Sequence, residues 1–196
     1  MNTISVNTTQ PCFCGSHCDF SCCCQPYINK ELAVQTAEQL MRSRFSAYAI
    51  GNAQYIYDTY ANSSQAAQSV ADIGDWSKSC VWIALVIHPL ANSVNNATEQ
   101  LVEFSAFYIT NNTLYELREK SRFILERGIE CDIEDKKEST FNTQLKQWRY
   151  IDGDIITHSE LATIKRNELC PCNLYPTAWQ VKKSKKGKKF KHCCGK

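Results

Sequence analysis

Apolar residues recur at Ala37, Leu40, Met41, Phe45 and Tyr48, the three-and-four spacing that gathers side chains on one stripe of an α-helix. The pattern predicts a helix over residues 33–50, with Thr36 and Gln39 at capping-box spacing and Gly51 as the stop. AQYIYDTY (53–60) predicts a short aromatic helix, and residues 63–74 a third, weakly amphipathic one. The period then changes. CVWIALVIH, from Cys80 and ended by Pro89, is a continuous branched and aromatic run, which predicts a strand buried on both faces. Residues 92–96 form a polar turn region, LVEFSAFYIT (101–110) alternates loosely, and NNT (111–113) supplies a hairpin turn into LYELREKSRFILE (114–126). Residues 127–143 are a polar, acidic excursion, and QWRYIDG is a short strand closed by Asp152 and Gly153. A short helical or irregular stretch then runs to Lys165. Helices followed by strands predict an α+β domain.

Two charges break this pattern. Arg44 lies in the middle of the apolar stripe, among Leu40, Met41 and Tyr48. In the last long strand Tyr115, Leu117, Glu119, Ser121, Phe123 and Leu125 share one face, and Glu116, Arg118, Lys120 and Arg122 the other. Glu119 therefore points inward. A buried charge without a partner is costly, which predicts an Arg44–Glu119 pair; the alternative is an Arg44 side chain that snorkels past the core edge.

Composition adds that 196 residues, 43% of them hydrophobic, suffice for one domain with small appendages. The first ten residues have neither a basic start nor an apolar stretch, and the longest apolar run is too short for a bilayer. The expectation is a cytoplasmic protein without a membrane partner. Residues 182–196 hold eight lysines and no acids, while the remainder carries fourteen basic and twenty acidic residues, a net of −6. Such a tail can meet phosphates or an acidic protein surface, or it can be a solvated segment that balances other charge. Sparse arginine and stacking aromatics near it argue against sequence-specific nucleic-acid recognition.

Twelve cysteines change the picture most. Cys12 and Cys14, then after eight residues Cys23 and Cys24, present four thiols from two tight corners. Cys170 and Cys172, then after twenty residues Cys193 and Cys194, repeat the arrangement. Pairs of this kind favour metal over disulfides, and four thiolates make a closed tetrahedral zinc site without an open catalytic position. Up to two structural zinc ions are expected. In the first cluster Cys22 with Cys23, or His17 in place of a thiolate, are alternative ligands, and Cys18 is a spare donor. The longer second loop adds only about 0.8 kcal/mol of closure entropy, small beside the roughly 10 kcal/mol that a structural zinc supplies. Lys188, Lys189 and Lys191 are placed to offset the thiolate charge there.

The spacing of these pairs and the tail KKGKKFKHCCG resemble the SEC-C zinc motif, named for the C-terminal end of the SecA translocation motor. AEQLMRSRFSAY (37–48), VEFSAFY (102–108), EKSRF (119–123) and QWRYIDG (147–153) are similar, in order and spacing, to the bacterial YchJ family of UPF0225 type. That resemblance implies a nuclear-transport-factor-2-like, or cystatin-like, centre: a cone of helices wrapped by a curved antiparallel sheet. The implied division is a knuckle over residues 1–30, a central domain over 31–157, and a second knuckle with basic tail over 158–196. Asn173 stands where the family has glycine, and the second loop carries an insertion around NLYPTAWQVKKS. The resemblance implies a zinc-stabilised binding or adaptor protein whose exposed knuckles contact protein or ribonucleoprotein partners. The rival expectation is a small-molecule ligand inside the cone, with Arg44, Tyr48, Tyr108, Glu119, Ser121 and Trp148 as its lining and Glu119 as a conceivable acid or base. No catalytic triad or phosphate loop is visible.

Overall fold

The structure, a computed structural model, describes residues 10–90, 97–127, 146–173 and 187–196. The turn at 92–96, most of the excursion after Arg127 and the insertion with the first four tail lysines lie outside the described residues. Five helices, α1 (Gln25–Ile28), α2 (Ala37–Ile50), α3 (Ala53–Asp58), α4 (Asn62–Gln65) and α5 (Val70–Ser79), precede four strands. The strands are β1 (Val81–His88), β2 (Glu99–Thr110), β3 (Thr113–Arg127) and β4 (Lys146–Thr163).

The termini of α2 show why it forms where it does. Thr36 Oγ1 accepts the Gln39 N–H at 3.1 Å, and Gly51 closes the helix in the left-handed region at φ 75°. The Gln39 side chain accepts from the N–H of Gln35 at 2.7 Å, one residue earlier than a capping box requires. The single helix expected over 63–74 is two helices. Ser69 caps α5 by accepting the Asp72 N–H at 3.3 Å, and this local bond interrupts the helix before it.

All four strands pair antiparallel in the order β1-β2-β3-β4. Asn111 and Asn112, at φ 49° and 59°, form the tight turn between β2 and β3, the left-handed geometry that asparagine tolerates and that matches strand twist. β4 is far longer than expected. Asp152 and Gly153 do not close it; they pair with Arg122 and Ser121, and the strand runs on to Thr163. Its 18 residues face 15 on β3, and three bulges absorb the surplus by leaving Ile151, Ile156 and Leu161 without partners. Bulges bend and twist a strand, so the sheet curls around the helices as the α+β cone requires.

Leu40, Phe45 and Ile56 from the helices meet Trp82, Phe104, Phe123 and Trp148 from the concave face in the main core. Ile83, Phe107, Ile109 and Leu114, on the convex face, build a second core with Ile164, Cys170, Cys172 and Phe190. β1 and β2 are thus covered on both sides where the two cores meet. The inward set expected on β3 faces the main core, and across the outer face Arg118 pairs with Glu103 at 2.5 Å and Arg122 with Asp152 at 2.5 Å. Among the described residues no helix is long and apolar enough to cross a membrane.

Candidate metal centres and the cone cavity

The two cysteine clusters are built by one backbone pattern used twice. Phe20 N–H donates to the Gln10 carbonyl, Cys12 N–H to that of Cys18, and Cys23 N–H to that of Phe20, at 2.7, 2.8 and 3.2 Å. In the second cluster Phe190 donates to Glu168, Cys170 to Lys188 and Cys193 to Phe190, at 2.8, 2.9 and 2.9 Å. Positions counted from the cysteines correspond throughout, although the loops differ by twelve residues. In each case a short antiparallel bridge and a 3-10 turn bearing a buried phenylalanine aim the adjacent cysteine pair at the other two.

The structure brings Cys12, Cys14, Cys23 and Cys24 together, and likewise Cys170, Cys172, Cys193 and Cys194, each set with its sulfurs within 4.8 Å of one another. A Zn–S bond of about 2.3 Å sets neighbouring sulfurs about 3.8 Å apart in a tetrahedron. Cys14–Cys23 and Cys23–Cys24 lie at 3.6 and 3.9 Å, and Cys172–Cys193 and Cys193–Cys194 at 3.4 and 3.9 Å, so both donor sets fit a metal ion of that size. Cys18 and Cys22 are exposed and donate to the carbonyls of Ser16 and Asp19, and His17 is exposed. Thiol hydrogen bonds divide the protons of the first set. Cys12 holds Cys14 below the ordinary thiol range and Cys23 at about 7, whereas Cys12 and Cys24 are pushed up. A bound metal ion would replace those shared protons.

The first cluster exposes His17, Cys18 and Cys22 but buries its ligands in the domain. Cys12, Cys14, Phe20, Cys24 and Ile28 belong to the main core. Cys12 Sγ lies 3.6 Å from Ser46 Oγ, and Arg42, whose Nε donates to Glu38, donates from NH1 to the Cys14 carbonyl at 3.0 Å. Residues off the apolar stripe of α2 therefore dock the knuckle, which is why the helix is buried on two sides.

On its other side α2 borders a cavity of about 170 Å³, lined in part by Met41, Arg44, Phe45 and Tyr48 at successive helical turns. Arg44, only 4% exposed, forms no ion pair with Glu119. Its NH1 donates to the Ile56 carbonyl and Thr59 Oγ1, each at 2.7 Å, and its guanidinium carbon lies 4.5 and 4.7 Å from the ring centres of Tyr60 and Tyr150. Carbonyl, hydroxyl and ring faces thus take the place of the expected carboxylate. Glu119 Oε1 accepts from Ser121 at 2.5 Å and from Tyr150 at 3.0 Å. Burial, then the Glu119 charge, pushes the Tyr150 phenol up, and burial does the same to Tyr48, so both remain donors at neutral pH.

Of the six expected lining residues, Arg44, Tyr48, Glu119 and Ser121 border the cavity. Trp148 lies towards the start of β4, where its indole N–H donates to the Gln35 carbonyl at 3.0 Å. Tyr108 lies at the far end of β2, stacked on Tyr115 at 5.5 Å with its hydroxyl 2.6 Å from His158 Nε2. Sequence reasoning missed Tyr60, Trp76, Trp82 and Tyr150 as cavity walls. The signal available was the density of aromatics in 55–60, 76–82 and 148–150.

A family model for the YchJ middle domain, of nuclear-transport-factor-2-like type, matches residues 36–130. A UPF0225 protein of Enterobacter sp. strain 638 is 34% identical over 187 residues, 95% of this chain and 99% of that protein. A UPF0225 protein of Photorhabdus laumondii is 33% identical over 189 residues, again 95% and 99%. The crystal structure of a SEC-C motif containing protein from Psychrobacter arcticus shares the fold, with a TM-score of 0.60 at 23% identity over 96% of this chain and 97% of that one.

Proposed function

The chain belongs to the UPF0225 family, and from that premise we propose that it is a zinc-stabilised binding protein whose ligand sits in the cone. Zinc in each set of four cysteines would act as a cross-link: every tetrahedral position is taken by a thiolate, so none is left for a substrate or water. Two zinc ions per chain by elemental mass spectrometry is the expected count. The observation that carries the cone reading is Arg44, a buried guanidinium beside a cavity with no carboxylate paired to it. A thermal-shift screen of metabolites on the wild type and on Glu119→Gln tests it. A stabilising compound whose effect the substitution changes supports the reading; a screen with no such compound opposes it.

A second reading is favoured by the exposure of Lys188 and Lys189 beside the second knuckle. This basic edge, continued by the lysine-rich tail, suits an acidic protein or ribonucleoprotein surface. Lys188→Glu with Lys189→Glu should abolish capture of such a partner without loss of zinc, and undiminished capture would exclude this edge.

A further inference from the structure

We propose that the cone binds a small aromatic acid bearing a hydrogen-bond donor on its ring, with the carboxylate on Arg44 and the donor on Glu119. This rests on the cone-binding reading and adds the chemical class of the ligand. Both hydrogens of Arg44 NH1 are used by Ile56 and Thr59. No Arg44 nitrogen is among the buried side-chain atoms left without a partner, and the residue lines the cavity, so its remaining N–H groups open into that space. A planar guanidinium edge selects a planar, two-oxygen anion.

Glu119 restricts the choice further. One of its oxygens is held by Ser121 and Tyr150, and its carboxylate borders the same cavity as Arg44. A second negative charge on the ligand would meet it unfavourably, which disfavours phosphate dianions and dicarboxylates, whereas an O–H or N–H would complete its hydrogen bonding. The walls define the ligand body. Tyr48, Trp76 and Trp82 form a cluster with ring centres 4.9 to 5.1 Å apart, and Phe45 packs edge-on to Trp82 at 5.7 Å. Such walls take a flat ring by edge and face contacts. An apolar cavity of about 150 Å³ accepts benzene, so 170 Å³ suits one substituted ring rather than a fused polycycle.

The test is calorimetric and NMR titration of the zinc-loaded full chain with 2-, 3- and 4-hydroxybenzoate, benzoate, phenol, benzamide and benzylamine. One hydroxybenzoate isomer should bind about tenfold tighter than benzoate or phenol, the preferred isomer reading the spacing between Arg44 and Glu119. Arg44→Met should weaken it by about tenfold or more, and Glu119→Gln should shrink its advantage over benzoate. Arg44→Lys, which keeps the charge and loses the planar edge, should weaken it too and serves if Arg44→Met fails to fold. If benzamide or benzylamine binds in the cone as well as the acids do, or if neither Arg44 variant matters, the ligand class is overturned and the cone reading stands. If no probe moves cone resonances, both fall.

Discussion

Glu119 owes its position to a neighbour with no side chain. A Cβ at Gly153 would collide with the Glu119 carboxylate, so only glycine lets that group lie flat across β4 and reach Ser121 and Tyr150. Gly153→Ala should displace it, break both hydrogen bonds and cost about 1–3 kcal/mol, measurable as a lower midpoint in urea unfolding. An unchanged midpoint would show that Glu119 has another comfortable rotamer. The inward direction of Glu119 and the buried place of Arg44 were legible from period-two and period-3.6 patterns. Their partners were not. Opposite charges in one interior are not compelled to meet when a carbonyl, a hydroxyl and two ring faces satisfy the cation first, and nothing in linear spacing reveals which carbonyl a fold brings near. Replacing Arg44 with Met should accordingly change stability by about 1–2 kcal/mol at most, since Thr59 still donates to the Ile56 carbonyl.

At the scale of elements, α2 is wedged between two structures. Met41, Arg44, Phe45 and Tyr48 border the cavity, whereas Arg42 and Ser46 contact the first knuckle. Loss of the first metal should therefore loosen the cavity wall. Cys14→Ser, compared with Cys172→Ser, should bring the larger loss of stability, about 3 kcal/mol or more, because its knuckle shares the main core while the other packs in a smaller cluster on the convex face. Guanidinium unfolding with zinc analysis of both variants decides this, and equal losses would contradict it. α2 and the β2–β3 hairpin were readable because caps, turn residues and periodicity agree there. β4 was not, since its surplus residues break the alternation that marks a strand and Asp-Gly imitates a turn.

The whole molecule is a sheet held from both sides by similar thiol clusters under different cover. In the first set Cys12, Cys14 and Cys24 are buried and Cys23 is half-buried, whereas in the second Cys170 and Cys172 are buried and both Cys193 and Cys194 are half-buried. A chelator should thus remove metal in two phases, the second cluster first with helical circular dichroism retained, the first later together with unfolding. A single phase would refute the difference. The cysteine spacing disclosed both clusters, yet not that one lies inside the main core, since burial depends on what docks against a knuckle and the docking residues, Arg42 and Ser46, carry no distinctive signal.

The three unpartnered residues of β4 recur every five positions, at Ile151, Ile156 and Leu161, and so act like insertions in a reading frame. Each resets which side of the strand the following residues occupy. Deleting Ile156 alone would leave Thr157 and His158 opposite Arg118 and Leu117, on the sides they now occupy, and would take out one bend of the sheet. The width of the cone is set by a count of residues, and no substitution that keeps the count can reproduce that change.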